Sequence, residues 1–299
     1  MNEQECLPTD IDVRVHYRSA AGRTLVHEPG LLRDIPLEER APLSEPHAYR
    51  GRRSILTDWF CATNGVTVWC SSTVQMDAAM LLDFDADIAC FQSGVAELHW
   101  QHEGRQGTVR PAFFARTHDG RRFVIPHRLA ARAAELEERV LRHAAAAAGW
   151  QIRPLQVPEG VLHSSLRSMA HFRGAEFAPG TQARQVLLDV FAVPRPLQKG
   201  AAVSGLGLPA AGHIWHLLWT GTLDFDRTLP LLPTSRIWAV PVTTTPGRTT
   251  DDAGWTAGRG GAAERAAAGC PGAVAGRNVP CGGTAGRRGA AGLSGRAGA

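Results

Sequence analysis

Lysine is nearly missing from this chain: Lys199 is the only one, and arginine supplies the rest of the 32 basic residues. With abundant Ala and Gly, that bias reads as GC-rich coding rather than as function. The formal net charge of +4 permits a nucleic-acid partner without demanding one, because such binding follows local clusters rather than the total. No window approaches the ~20 consecutive apolar residues of a membrane span. The opening Met-Asn-Glu-Gln-Glu-Cys has neither a basic run nor an apolar one, so no secretory leader is expected. The six cysteines form no Cys-x-x-Cys pair and no dense framework, which excludes a disulfide scaffold and suits reduced thiols in a cytoplasmic protein. Also missing are a Ser-His-Asp or Cys-His arrangement, a phosphate-cradling glycine loop and a zinc motif.

What is present divides into four stretches. Residues 1–48 are a polar, proline-punctuated N-terminal extension with one strand expected at Val13–Tyr17. Residues 49–157 alternate strand and helix signals. Val66–Trp69 follows the Asn64-Gly65 turn and reads as a strand, and Ser72 stands where it caps a helix through Leu82. A strand pair is expected around Val95–Trp100 and Arg110–Arg116, and Asp119-Gly120 marks a hairpin. The clearest helix is Arg128–Ala148, with Leu129, Ala133, Leu136, Val140 and Ala144 on one stripe and Gly149 to end it. Trp150–Val157 reads as a strand that Pro154 restricts to an edge or an end.

Residues 158–242 look mostly helical. Helices are expected at Gly160–Phe172, at Thr181–Val193 with Thr181 as cap, and at Pro209–Trp219 with Gly221 closing it, before a turn-and-strand element at Thr222–Val240. Three helices and a small strand pair suit a helix-turn-helix or winged-helix module that docks DNA or protein. Beyond Thr243 large apolar residues become sparse, and no periodicity survives to offset chain entropy. This disordered Gly/Ala/Arg tail is either a flexible nucleic-acid contact or GC-rich DNA read out of frame. The abruptness of the change favours the slipped frame.

Several segments in order carry a resemblance. They are Tyr49-Arg-Gly-Arg-Arg53, Met80-Leu-Leu-Asp-Phe-Asp85, Leu98-His-Trp100, Pro111–Arg116 with Asp119-Gly120, Val190–Pro196 and Leu217–Gly221. Over roughly residues 45–240 the chain resembles the TnsA-like endonuclease subunits of heteromeric transposases. The resemblance implies a restriction-endonuclease-like α/β fold with a mixed sheet and flanking helices, then a small helical, winged-helix-like domain. It implies cleavage of one strand at transposon ends, with DNA, a separate transposase subunit and an ATP-dependent regulator as partners. It also implies magnesium, which polarises the scissile phosphate and activates water while carboxylates hold the ion.

The sequence departs from the family where that chemistry lives. The helix slot for a glutamate is Gln75, the strand slot for an aspartate is Ala112, and the basic slot after the next strand is Arg128. Losing two carboxylates about 4 Å from a metal removes roughly 4 kcal/mol per unit-charge pair at an effective dielectric near 20, before dehydration is counted. The expectation is a catalytically defective copy that binds no magnesium. The alternatives are a non-catalytic architectural subunit, or an active nuclease whose acids lie elsewhere. Asp77 points to another helix face, Asp83 and Asp85 are expected to cap the helix or tie down the loop after it, and Asp119 is expected to form a turn.

Weaker signals remain. Arg50, Arg52 and Arg53 are candidate phosphate contacts, with a solvated basic surface as the alternative. His99 and His102 fall on opposite faces of a strand. His213 and His216 lie on an apolar helix and read as packing or surface residues.

Overall fold

The computed structural model describes residues 11–43, 50, 54–127 and 134–241. Arg52, Arg53, Arg128 and the tail after Thr243 lie outside them. The architecture is mixed α/β. In chain order, β1 (Asp12–Arg18) and β2 (Thr24–His27) form a hairpin, followed by short 3-10 turns at Pro29–Leu32 and Leu37–Glu39. The hairpin of β3 (Thr57–Phe60) and β4 (Thr67–Cys70) leads into helix α1 (Thr73–Phe84) and strand β5 (Ile88–Gln92). A third hairpin, β6 (Ala96–His102) and β7 (Arg105–Val109), precedes β8 (Phe113–Thr117) and β9 (Arg122–Ile125). Helix α2 (Ala134–Ala148) and the short β10 (Gln151–Ile152) complete this half.

Two four-stranded sheets organise these elements, with orders β2-β1-β6-β7 and β10-β9-β8-β5. The first is antiparallel throughout. In the second, β5, β8 and β9 are antiparallel neighbours, and β10 joins β9 in parallel. A parallel pair needs a crossover, and α2 supplies it. Gly149 adopts φ +71 after the last turn of α2, a left-handed position that suits glycine. The strands expected as a pair at Val95–Trp100 and Arg110–Arg116 separate: β6 joins one sheet and β8 the other. The signal that misleads is the β7 hairpin partner, whose Arg105-Gln-Gly-Thr sequence is polar and reads as loop.

The second sheet is buried on both faces. Phe114 and Val124 pack with Val13, Val15, Leu98, Val140 and Trp150 in one core. Phe113 and Ile125 point the other way, into a core with Phe91, Met80 and Trp59. Period-two alternation of strand side chains explains why adjacent phenylalanines serve different cores. The described part of the N-terminal extension therefore belongs to the sheet structure: β1 pairs with β6 along six residues, from Asp12 opposite Gln101 to Tyr17 opposite Ala96.

Residues from 158 onward supply α3 (Gly160–Ala170), α4 (Thr181–Phe191), β11 (Arg195–Pro196), α5 (Leu197–Val203), α6 (Pro209–Trp219), β12 (Leu223–Phe225) and β13 (Arg236–Ala239). The strands form a small antiparallel sheet ordered β11-β13-β12. Gly180, not Thr181, is the N-cap residue of α4, and no side chain caps it. The short α5 had no sequence signal because Lys199-Gly200 interrupts its apolar pattern. Leu166, Leu187, Phe191, Ile214 and Leu218 share the core of α1 and β3. Trp219 bridges the two halves, with its ring centroid 5.4 Å from Phe84 and 6.3 Å from Trp59. Among the described residues no helix is long and apolar enough to cross a membrane.

Candidate functional site

The first turn of α1 is built around two residues. Ser72 is the N-cap, and its hydroxyl accepts the Gln75 backbone N–H at 3.2 Å. Gln75 is only 4% exposed, so each polar atom of its side chain requires a partner. Its Oε1 reaches back to accept from the Ser71 N–H at 2.7 Å and the Ser71 hydroxyl at 2.8 Å. Its Nε2 donates across to the Ala112 carbonyl oxygen at 3.0 Å.

Ala112 lies immediately before β8 and is fully buried. Its N–H donates to the Ile125 carbonyl at 2.7 Å, which fixes it against the end of β9. Two of the three slots assigned from sequence are thus in direct contact, although 37 positions separate them. The third, Arg128, lies outside the described residues. His127, the last described residue there, is held below the usual imidazole range by burial. Of the three candidate phosphate-contacting arginines, Arg50 is exposed and the other two lie outside the described residues.

The other acids weighed as substitutes are engaged elsewhere. Asp77 contacts His163 on α3 at 3.0 Å. Asp85 is the C-cap residue of α1, where its backbone N–H donates to the Leu81 and Leu82 carbonyls. Its carboxylate pairs with Arg153 at 2.9 Å and accepts the Asp87 N–H at 3.1 Å, tying down the segment that follows. Asp119 binds Thr117 Oγ1 and the Arg121 guanidinium, as a turn former should. Asp83 ties down the loop before α1, not the one after it. Its carboxylate accepts from Trp59 Nε1 at 3.0 Å, the Ala62 N–H at 3.1 Å, the Thr63 N–H at 2.9 Å and Thr63 Oγ1 at 2.7 Å. The Cys61 thiol adds a fifth donor at 3.2 Å.

Comparison with known proteins finds no family model that matches the chain and no curated protein of significant similarity.

A hard divalent cation wants several anionic oxygens, and the residues present do not fit one. Gln75 is neutral, its oxygen already receives two hydrogen bonds, and its amide nitrogen occupies the Ala112 carbonyl. Ala112 brings no side-chain donor. Among the described residues no three His, Cys, Asp or Glu side chains are grouped so as to hold a metal. As it stands the corner is a closed, neutral, hydrogen-bonded junction between a helix start and a strand start.

Sequence reasoning missed three other polar features. Glu38 is 3% exposed and accepts from Arg116 Nε at 2.7 Å, which ties the Leu37–Glu39 turn to β8. Nothing in the sequence links positions so far apart. His213 and His216 donate from Nδ1 to the Phe177 and Phe172 carbonyls at 2.8 and 2.9 Å. Their spacing of three on a helix, which puts both on one face, was the available signal. His99 stacks on His16 with centroids 3.9 Å apart and contacts Glu97, an arrangement that depends on the unforeseen pairing of β1 with β6.

Proposed function

We propose that this chain is a TnsA-like subunit of a heteromeric DNA transposase whose strand-cleaving site has lost its metal chemistry. The observation that carries the reading is the contact between Gln75 and Ala112. These positions were paired as catalytic slots on the resemblance alone, and the fold brings them within a hydrogen bond. The order of elements supports the same reading. Helix α1, an antiparallel set of β5, β8 and β9, helix α2 and a parallel β10 give the helix–three strands–helix–strand plan expected of a restriction-endonuclease-like core. The β6–β7 hairpin is then an insertion between the first two core strands. The helices α3–α6 with their three-stranded sheet suit the winged-helix-like docking domain that the resemblance implies.

In this reading the chain contributes binding rather than cleavage. It docks the transposase subunit, the ATP-dependent regulator and transposon-end DNA, and the corner at Gln75 holds the fold together. The commitment of both Gln75 polar atoms favours this architectural role over an active nuclease with unrecognised acids.

The test is reconstitution of the full chain with the transposase subunit of its own element and a duplex carrying the transposon end. A stable complex without nicking in magnesium or manganese is the expected result. Nicking that depends on this chain would refute loss of activity. Failure to bind either the subunit or the DNA would refute the subunit reading itself.

A further inference from the structure

We infer that Gln75 is an amide-specific clasp that positions the start of α1 on the start of β8, so that this corner is held without a divalent cation. The inference uses the proposed function only for the comparison with a metal; the clasp stands on its own contacts. An amide is the one side chain of this shape that both accepts and donates without taking up a proton. Its oxygen satisfies two donors of Ser71, and its nitrogen satisfies a buried carbonyl on a different element.

Ionised glutamate at the same position, which regains a donor only by taking up a proton, keeps the first function and loses the second. One of its oxygens would then face the Ala112 carbonyl oxygen across about the same separation, acceptor against acceptor. The helix N-terminus favours a negative charge there, but that benefit is smaller than the loss of a buried hydrogen bond with repulsion in its place. The neutral residues at 75 and 112 are therefore coupled. An acid at 75 alone disrupts the junction, and only a second change at 112 creates a pair of carboxylates that a cation can bridge.

Equilibrium unfolding of the full chain in chelator and in excess magnesium provides the test. Wild-type protein should give the same midpoint in both conditions. In chelator, Gln75→Glu and the near-isosteric Gln75→Met should each raise the unfolding equilibrium constant by roughly tenfold to a hundredfold. A magnesium-dependent rise in the wild-type midpoint overturns the clasp, and it needs no variant to be observed. Equal stability of Gln75→Glu and wild type in chelator also overturns it. The double variant Gln75→Glu/Ala112→Asp should regain stability in magnesium. Absence of that response, with the wild type and single variants behaving as expected, counts against the endonuclease reading and leaves the clasp intact.

Discussion

The indole N–H of Trp59 donates to the carboxylate of Asp83 at 3.0 Å, and both residues are more than nine-tenths buried. Trp59 belongs to β3 and Asp83 to the last turn of α1, so one bond fixes the hairpin against the helix. A face of the Trp59 ring carries the guanidinium of Arg173, which lies beyond the end of α3, 4.3 Å from the ring centroid. Strand β3, helix α1 and the segment after α3 meet at this ring.

Asp83→Asn should therefore destabilise far more than a surface substitution. The asparagine turns an NH2 group toward a ring of donors, at least one of which then loses its acceptor. A loss of about 3 kcal/mol is expected for breaking a buried, charge-assisted set of this kind. Urea unfolding followed by tryptophan fluorescence measures it, and an unchanged midpoint would contradict the role of Asp83 as a hub.

Gly200→Ala should be harmful although it lies in helix α5. On an open helix that change gains up to about 1 kcal/mol from propensity. Here the added methyl would meet the Phe191 ring at 2.0 Å, and Phe191 is fully buried. Overpacking of a rigid core costs about 1–3 kcal/mol, so steric conflict wins. Thermal unfolding of the variant is the check, and a raised midpoint would show that Phe191 can move aside.

The thiols of Cys61, Cys70 and Cys90 are free and buried and should resist alkylation in the native state. Burial pushes Cys70 and Cys90 up to about 12, and burial together with the Asp83 carboxylate pushes Cys61 higher still. The thiolate is the reactive form, so labelling at pH 8 should reach these positions only after denaturant is added. The same shifts set a pH trend. Folded-state values above the ordinary 9.0 leave their contribution intact below that pH, and stability should fall as pH rises from 9.0 toward 12. Peptide mapping after iodoacetamide tests the first statement and unfolding in alkaline buffers the second.

Acid should weaken the fold through the opposite shift. His127 and His216 are held below the ordinary imidazole value of 6.5 chiefly by burial, and burial with the neighbouring His99 does the same to His16. A depressed folded-state value means that the neutral form is the stabilising one. Its contribution is present above pH 6.5 and is lost as pH falls through the lower folded-state values. The urea midpoint should fall between pH 7 and pH 5, with a shallower fall in His216→Gln. Equal slopes for the variant and wild type would remove His216 from the effect.

Local signals were the legible ones. Ser72 as a cap, the Asp119-Gly120 turn, the Leu136, Val140 and Ala144 part of the α2 stripe and Gly149 beyond it depend on neighbours within a few residues, and the structure places each as its chemistry requires. Sheet membership was not legible. The pairing of β1 with β6 and the parting of β6 from β8 are set by contacts tens of residues apart, which no local pattern encodes. At the candidate site the identities Gln75 and Ala112 came from the resemblance, but their mutual hydrogen bond and the role of Ser71 emerged only in three dimensions. Asp83 looked like a helix-end residue because it falls in the Met80–Asp85 segment of the resemblance, at the end of the helix. Its donors come from a loop twenty residues upstream.

Phe113 and Phe114 sit side by side on β8 and enter opposite cores. Pulling that one strand out would drain both interiors at once, so neither half has a private route to unfolding. A chain cut between the sheets and the helices would leave Trp59 and Phe84, which pack on Trp219, on raw faces, and each fragment should stick to others of its kind. Only the intact run from the first strand to the last is therefore expected to persist as a folded entity.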